Sequence, residues 1–156
     1  MLVTQIDGDG AAAWMNGQPI EGDSLRKLAQ RSRSVWRNDA YWFLMPYKLL
    51  DAGCRLRLAP DTTLAGTHYR RLALSFEQVG DTPGDRYWVY VNARTRRVER
   101  WDHVLQGQPP PPRTWTWEGW EQHGDLWFPT LHRQDNTEIR TRAVEPVESF
   151  PSGPFT

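Results

Sequence analysis

The chain has 156 residues, enough for one domain with a substantial core, and it balances 19 basic against 19 acidic residues at a pI near 6.9. That balance excludes bulk electrostatic attraction to nucleic acid or to an anionic membrane surface. Nine Trp, five Tyr and five Phe stand in a chain of mean hydropathy −0.71, and the lone Cys54 excludes an intrachain disulfide and a cysteine zinc site.

Leu2 to Ile6 reads as a short strand and Asp7-Gly-Asp-Gly10 as a turn, because Asp-Gly pairs supply positive φ cheaply. Ala11 to Met15, carrying Trp14, is the return strand, and Asn16-Gly17 is a second turn of the same kind. The first residues have neither a basic run nor a long apolar one, so no secretory leader is expected. The opening strand needs a neighbour on its free edge. Asp23 or Ser24 caps a helix. Leu25, Leu28, Ala29, Ser32, Val35 and Trp36 follow at near-helical spacing, with Arg26, Lys27, Arg31 and Arg33 on the other face. This basic run reads as a solvated helix face, with a phosphate or head-group contact as the sharper alternative. Asn38-Asp39 offers a second cap. Ala40 to Leu50 is the most apolar segment of the chain, and Pro46 is expected to end or kink whatever precedes it. It falls far short of the ~20 apolar residues of a membrane span, as does every other window, so it is either buried or a lid over something apolar.

Asp51-Ala-Gly53 is a turn. Cys54, Leu56 and Leu58 alternate with Arg55 and Arg57, Ala59 to Thr67 reads as a loop, and Leu72, Leu74 and Phe76 alternate with Arg71, Ala73 and Ser75. Gly80 to Asp85 is a tight loop leading into the stretch around which the sheet is organised. Arg86 to Leu105 predicts two strands joined by the polar turn Asn92 to Arg96. Alternation places Tyr87, Val89 and Val91 on one face and Trp88 and Tyr90 on the other. Across the turn, Val98 and Val104 share a face while Trp101 and Leu105 take the opposite one. Both faces carry large apolar groups, so both need cover: one from the helix, the other from core, a second layer or a ligand. Pro109 to Pro112 favours polyproline II and an exposed connector. Trp115 to Gln122 is a strand with Trp115 and Trp117 on one face and Trp120 on the other, unless Gly119 makes a bulge. His123 to Asp125 turns the chain, Leu126 to Arg133 returns, Gln134 to Thr137 turns again, and Ile139, Thr141 and Ala143 form a last strand. Pro146, Pro151, Gly153 and Pro154 mark a frayed tail that Phe150 and Phe155 are placed to pin. There is no internal repeat and no coiled coil. One helical block followed by consecutive hairpins predicts an α+β fold, mainly β, with an antiparallel, strongly twisted sheet.

The runs Asn38 to Leu49, Val79 to Val91, Val98 to Trp101 and Trp115 to Trp120 resemble a family of uncharacterised bacterial exported proteins with the fold of the outer-membrane lipoprotein carrier LolA. The resemblance covers most of Asn38 to Val144. It implies a curved antiparallel half-barrel with a short helical block packed on its concave face, which in LolA-like proteins holds acyl chains. It also implies a periplasmic or exported setting. The chain resembles the later part of such a protein, so residues 1–156 are expected as one half-barrel domain without the family's N-terminal helix and first strands.

Asp81 and Asp85 offer two carboxylates to a metal, where calcium wants six or more oxygens, and a structural turn is the simpler role. His68, His103, His123 and His132 show no zinc spacing. There is no nucleophile elbow, and Cys54 in an alternating strand reads as buried. Glu118 with Glu121, or Glu99 with Asp102, would be the carboxylate pairs of a hydrolase, the outsider reading. No catalytic residue, metal or cofactor is expected. What remains is aromatic: Trp42, Phe43, Met45 and Tyr47 on the lid-like segment, with Trp88, Tyr90, Trp101, Trp115 and Trp117 on the sheet. They either line a site for a lipid or other apolar ligand or meet and fill the core. The expected function is non-enzymatic binding of such a ligand between the sheet and the helical segment. The alternative is an interaction module whose Leu2 to Ile6 edge completes a sheet with a partner chain, for example as a homodimer. Neither nucleic acid nor a transmembrane segment is expected.

Overall fold

The computed structural model describes residues 1–4 and 10–145. Twelve elements follow in the order β1 (Leu2–Thr4), β2 (Ala11–Met15), β3 (Gln18–Ile20), α1 (Gly22–Lys48), β4 (Cys54–Leu64), β5 (Thr67–Phe76), β6 (Arg86–Asn92), β7 (Val98–Val104), β8 (Arg113–Thr116), β9 (Glu118–His123), β10 (Leu126–Gln134) and β11 (Thr137–Arg140). The fold is α+β and mainly β, with every strand pair antiparallel. The remainder of the expected first strand and turn, Gln5 to Asp9, and the tail from Pro146 lie outside the described residues.

The chain groups into two compact units that part at Trp42 and Phe43. In the first, β1, β2 and β3 form a three-stranded sheet in that order, and α1 begins. Asn16 and Gly17, at φ 52° and 79°, make the tight turn from β2 to β3. Both positions need a left-handed backbone, which Asn and Gly supply at least cost. Thr4 Oγ1 and Ser32 Oγ lie 3.0 Å apart and tie β1 to α1.

Helix α1 runs unbroken through Asn38-Asp39, where the sequence offers a second cap. The two side chains are exposed and bond each other, Asn38 Nδ2 donating to Asp39 Oδ1 at 3.2 Å. Pro46 falls in the last turn. There its missing N–H removes a single helical bond, and contacts around it offset the loss. Met45 is fully buried and Phe43 stacks on Phe128 of β10 at 4.6 Å with the rings 8° from parallel. The helix then stops, with the Lys48 carbonyl accepting from Asp51 N and from Cys54 Sγ.

The second unit is a meander. Strands β4 to β8 form a five-stranded sheet in chain order, and β9, β10 and β11 a three-stranded one. Strand β4 continues through the expected loop by a register shift between Ala59 and Thr62, which absorbs Pro60 on an edge strand where no ladder donor is missed. The ladder changes partner at Trp117. Its N–H donates to Glu99 O of β7 at 2.9 Å, after which β9 pairs with β10. Gly119 sits in β9 at φ 60°, where a Cβ would come within 2.7 Å of Thr130 Oγ1. The far half of β10 then lies beside β8, Arg133 N donating to Thr116 Oγ1 and Gln134 Nε2 to Thr114 O, each at 3.1 Å.

Register settles the two faces of the central hairpin. Val89 stands opposite Trp101 and Trp88 opposite Asp102. A bulge between Tyr90 and Val91 sets Val98 opposite Val91 while Val104 stands opposite Arg86. Val98 and Val104 therefore take opposite faces, because one extra residue inverts the alternation. The face with Leu74, Val89, Trp101 and Trp115 is the core, and these side chains are buried.

Candidate functional site

The aromatic set divides into three places. At the end of α1, Phe43 stacks on Phe128, and the Tyr47 hydroxyl donates to Trp127 O and accepts from Trp127 N, both at 2.8 Å. Met45 is fully buried, Tyr47 stays exposed, and Trp42, one residue before Phe43, is half-buried. In the core, Trp101 meets Trp117 edge-on at 5.0 Å, Tyr87 reaches Trp101 at 4.8 Å, and Trp117 meets His132 at 4.4 Å. Trp115 stands opposite Trp101 in the ladder. Trp101, Trp115 and Trp117 are 3, 8 and 1% exposed, so these three act by filling space. Edge-to-face and offset contacts of this kind add about 0.5–1.5 kcal/mol per pair beyond burial.

Trp88 and Tyr90 lie on the other face, which is polar. Asp102 accepts from Tyr90 Oη at 2.5 Å, from Arg100 Nε at 2.9 Å and from Thr114 Oγ1 at 2.6 Å. The guanidinium carbons of Arg71 and Arg100 each lie 5.1 Å from the centre of the Tyr90 ring. Glu99 takes Tyr69 Oη and Asn92 Nδ2, each at 2.9 Å. Burial and the neighbouring carboxylates push the Tyr69 and Tyr90 hydroxyls above the usual phenol value, which keeps both as proton donors.

The other candidates make the following contacts. Asp85 is buried and accepts from Thr82 Oγ1, Tyr87 Oη and the backbone N–H of Gln106, pinning the loop before β6. Glu118 accepts from Thr116 Oγ1 and pairs with Arg133, and Glu121 accepts from Thr130 Oγ1. The hydrolase carboxylates are thus occupied as acceptors. His103 and His132 are buried among aromatics. Burial raises the Cys54 thiol above its ordinary value, opposite to what a nucleophile needs. Among the described residues no group of three or more His, Cys, Asp and Glu gathers to hold a metal.

Open apolar surface lies elsewhere. Along α1, Leu28, Val35, Trp36 and Ala40, flanked by Arg31 and Asp39, line an open groove of about 610 Å³. Leu28, Val35 and Trp36 are 37, 50 and 49% exposed. Their helical spacing is visible in the sequence, but spacing defines a stripe without saying whether anything covers it. No helix of the described chain is long and apolar enough to cross a membrane. Comparison with protein-family models, curated proteins and solved structures returns no match.

Proposed function

We propose that this chain is a non-enzymatic binding protein for a lipid or other apolar ligand, as its LolA-like sequence runs imply, and that the ligand lies along α1 over Leu28, Val35 and Trp36. One observation carries the reading: large apolar side chains at helical spacing stay open to solvent in the first unit. Leu28, Val35 and Trp36 are exposed there, while the buried hydrophobic residues among its described positions are Ala13 and Ala29. A small domain that buries alanines and exposes tryptophan has a core that another apolar body would complete. A ligand between the sheet and the Asn38 to Leu50 segment would have to part the Phe43–Phe128 stack. The α1 groove asks for no such opening. Arg31 at its margin suits the anionic head of an acyl amphiphile. A periplasmic or exported setting goes with this reading.

Native mass spectrometry on the purified chain, followed by solvent extraction, tests it. One acyl species per chain is expected, with Trp36→Ala lowering occupancy. A chain that emerges empty and takes up no added palmitate sinks the proposal. The alternative, an interaction module, draws on β1, which pairs only with β2 among the described residues. It requires a dimer in the same spectra.

A further inference from the structure

We propose that the polar face of the five-stranded sheet carries a second, separate site, for a small ligand with an oxyanion on a flat ring body, at Arg57, Arg86 and Trp88. The ladder registers place Arg57 opposite Ala73 and Ala73 opposite Trp88, with Ser75 opposite Arg86 in the neighbouring row. A methyl group between a guanidinium and an indole leaves a gap, and an open depression of about 310 Å³ lies there, lined by Arg57, Ala73, Ser75, Arg86 and Trp88.

The charge on this face is unbalanced. Arg57 and Arg86 are exposed and enter no ion pair among the described residues. The nearby carboxylates are committed elsewhere: Glu77 to Arg55, Asp102 to Arg100 with Tyr90 and Thr114, and Glu99 to Tyr69 and Asn92. Arg71, one step along β5 from Ala73, adds a third guanidinium. Its Nε is sealed from solvent with no hydrogen-bond partner, and its carbon sits over Tyr90. Cations are repelled from such a face. An oxyanion gains charge-assisted, potentially bidentate bonds from planar guanidinium forks. The Trp88 wall gives a flat ring something to pack on. The depression lies wholly in the second unit, so it does not depend on the α1 groove.

Calorimetric titration of the whole chain with phenyl phosphate, phenylacetate and inorganic phosphate tests this. Phenyl phosphate is expected to bind more tightly than inorganic phosphate, and the advantage to vanish in Trp88→Leu. The Arg57→Gln/Arg86→Gln double variant should weaken binding about tenfold, the loss of one to two exposed charge-assisted bonds. The Arg94→Gln/Arg96→Gln double variant removes the same charge from the β6–β7 turn and should leave binding unchanged. Comparing phenylacetate with phenyl phosphate assigns the preferred oxyanion. No binding at millimolar ligand, or equal loss in both double variants, overturns the proposal; circular dichroism checks that each variant folds.

Discussion

Asp102 shows how single residues fix the polar face. Its carboxylate has three donors, and the shortest bond comes from a tyrosine that is 6% exposed. Tyr90→Phe keeps the ring between Arg71 and Arg100 but removes the hydroxyl. The cost expected is about 1.5–3 kcal/mol of stability, the usual loss for a buried bond to a charged acceptor, read by urea denaturation with an unchanged slope. His103 gives a pH effect. Its imidazole is buried beside Tyr87 and Trp101, and that burial lowers its pKa below the ordinary 6.5, against the raising influence of Asp85 and Asp102 and with a lesser lowering by Arg113. The unfolded chain therefore binds this proton more readily than the folded one. The histidine's contribution is complete above pH 6.5 and is lost as pH falls from 6.5 toward the depressed folded value. Thermal melts from pH 8 to 5 should show the decline, and His103→Gln should flatten it. An unchanged slope in the variant would place the titration elsewhere.

At the scale of elements, the β6–β7 hairpin rests on one side chain. Asn92 Oδ1 accepts from Arg94 N and Thr95 N, and its Nδ2 donates to Glu99, all while 6% exposed. Asn92→Ala takes the acceptor from two turn amides and leaves Glu99 Oε1 with the Thr95 hydroxyl as its remaining donor, so about 2–3 kcal/mol should be lost, measurable by the same denaturation. Turns of this kind were legible in the sequence, because Asn92 to Arg96, Asn16-Gly17 and His123 to Asp125 each name a local geometry. Alternation in β5 and β6 was legible for the same reason. Three features were not. The continuity of α1 past Asn38 and Pro46 depends on Phe43 and Tyr47 finding Phe128 of β10, a contact more than 80 residues away in the chain. The extension of β4 through Pro60 depends on its being an edge. The bulge that separates Val98 from Val104 depends on how β7 meets β6. Each is decided by a partner strand, which local pattern cannot see. The candidate sites divide the same way. Trp101, Trp115 and Trp117 were legible as large apolar groups, yet only packing shows that they fill the core. The stripe of Leu28, Val35 and Trp36 was legible as helical spacing, yet only the structure leaves it open.

The whole molecule distributes its stability unevenly. Of the buried hydrophobic residues among those described, the second unit holds Met45, Leu74, Val89, Tyr90, Val98, Trp101, Val104, Trp115, Trp117 and Leu131, and the first holds Ala13 and Ala29. The larger apolar residues of the first unit, Val3, Ile20, Leu25, Tyr41 and Trp42 among them, are only half-buried, so at about 25 cal/mol per Å² each contributes less than a sealed side chain against the entropy of ordering three strands and most of a helix. Helix α1 also holds six of the 19 basic residues and two of the 19 acidic ones, with Arg26 paired to Asp23 and Lys48 to Asp51. Hydrogen exchange should therefore divide by unit. Amides of β6 and β7 are expected to be the slowest, opening only with global unfolding, while β2 and the Gly22 to Ala40 stretch open locally at lower free energy. On the proposed function, a bound amphiphile is expected to change only the second rate. It adds apolar contact over Leu28, Val35 and Trp36 and an anion beside Arg31, so saturating palmitate should slow exchange in α1 and β2 and leave β6 and β7 as they were. Uniform slowing across both units would instead mean that the ligand enters the aromatic core. Protection in α1 already equal to that of β7 without ligand would mean that the first unit is complete as it stands and that its exposed stripe has no occupant to wait for.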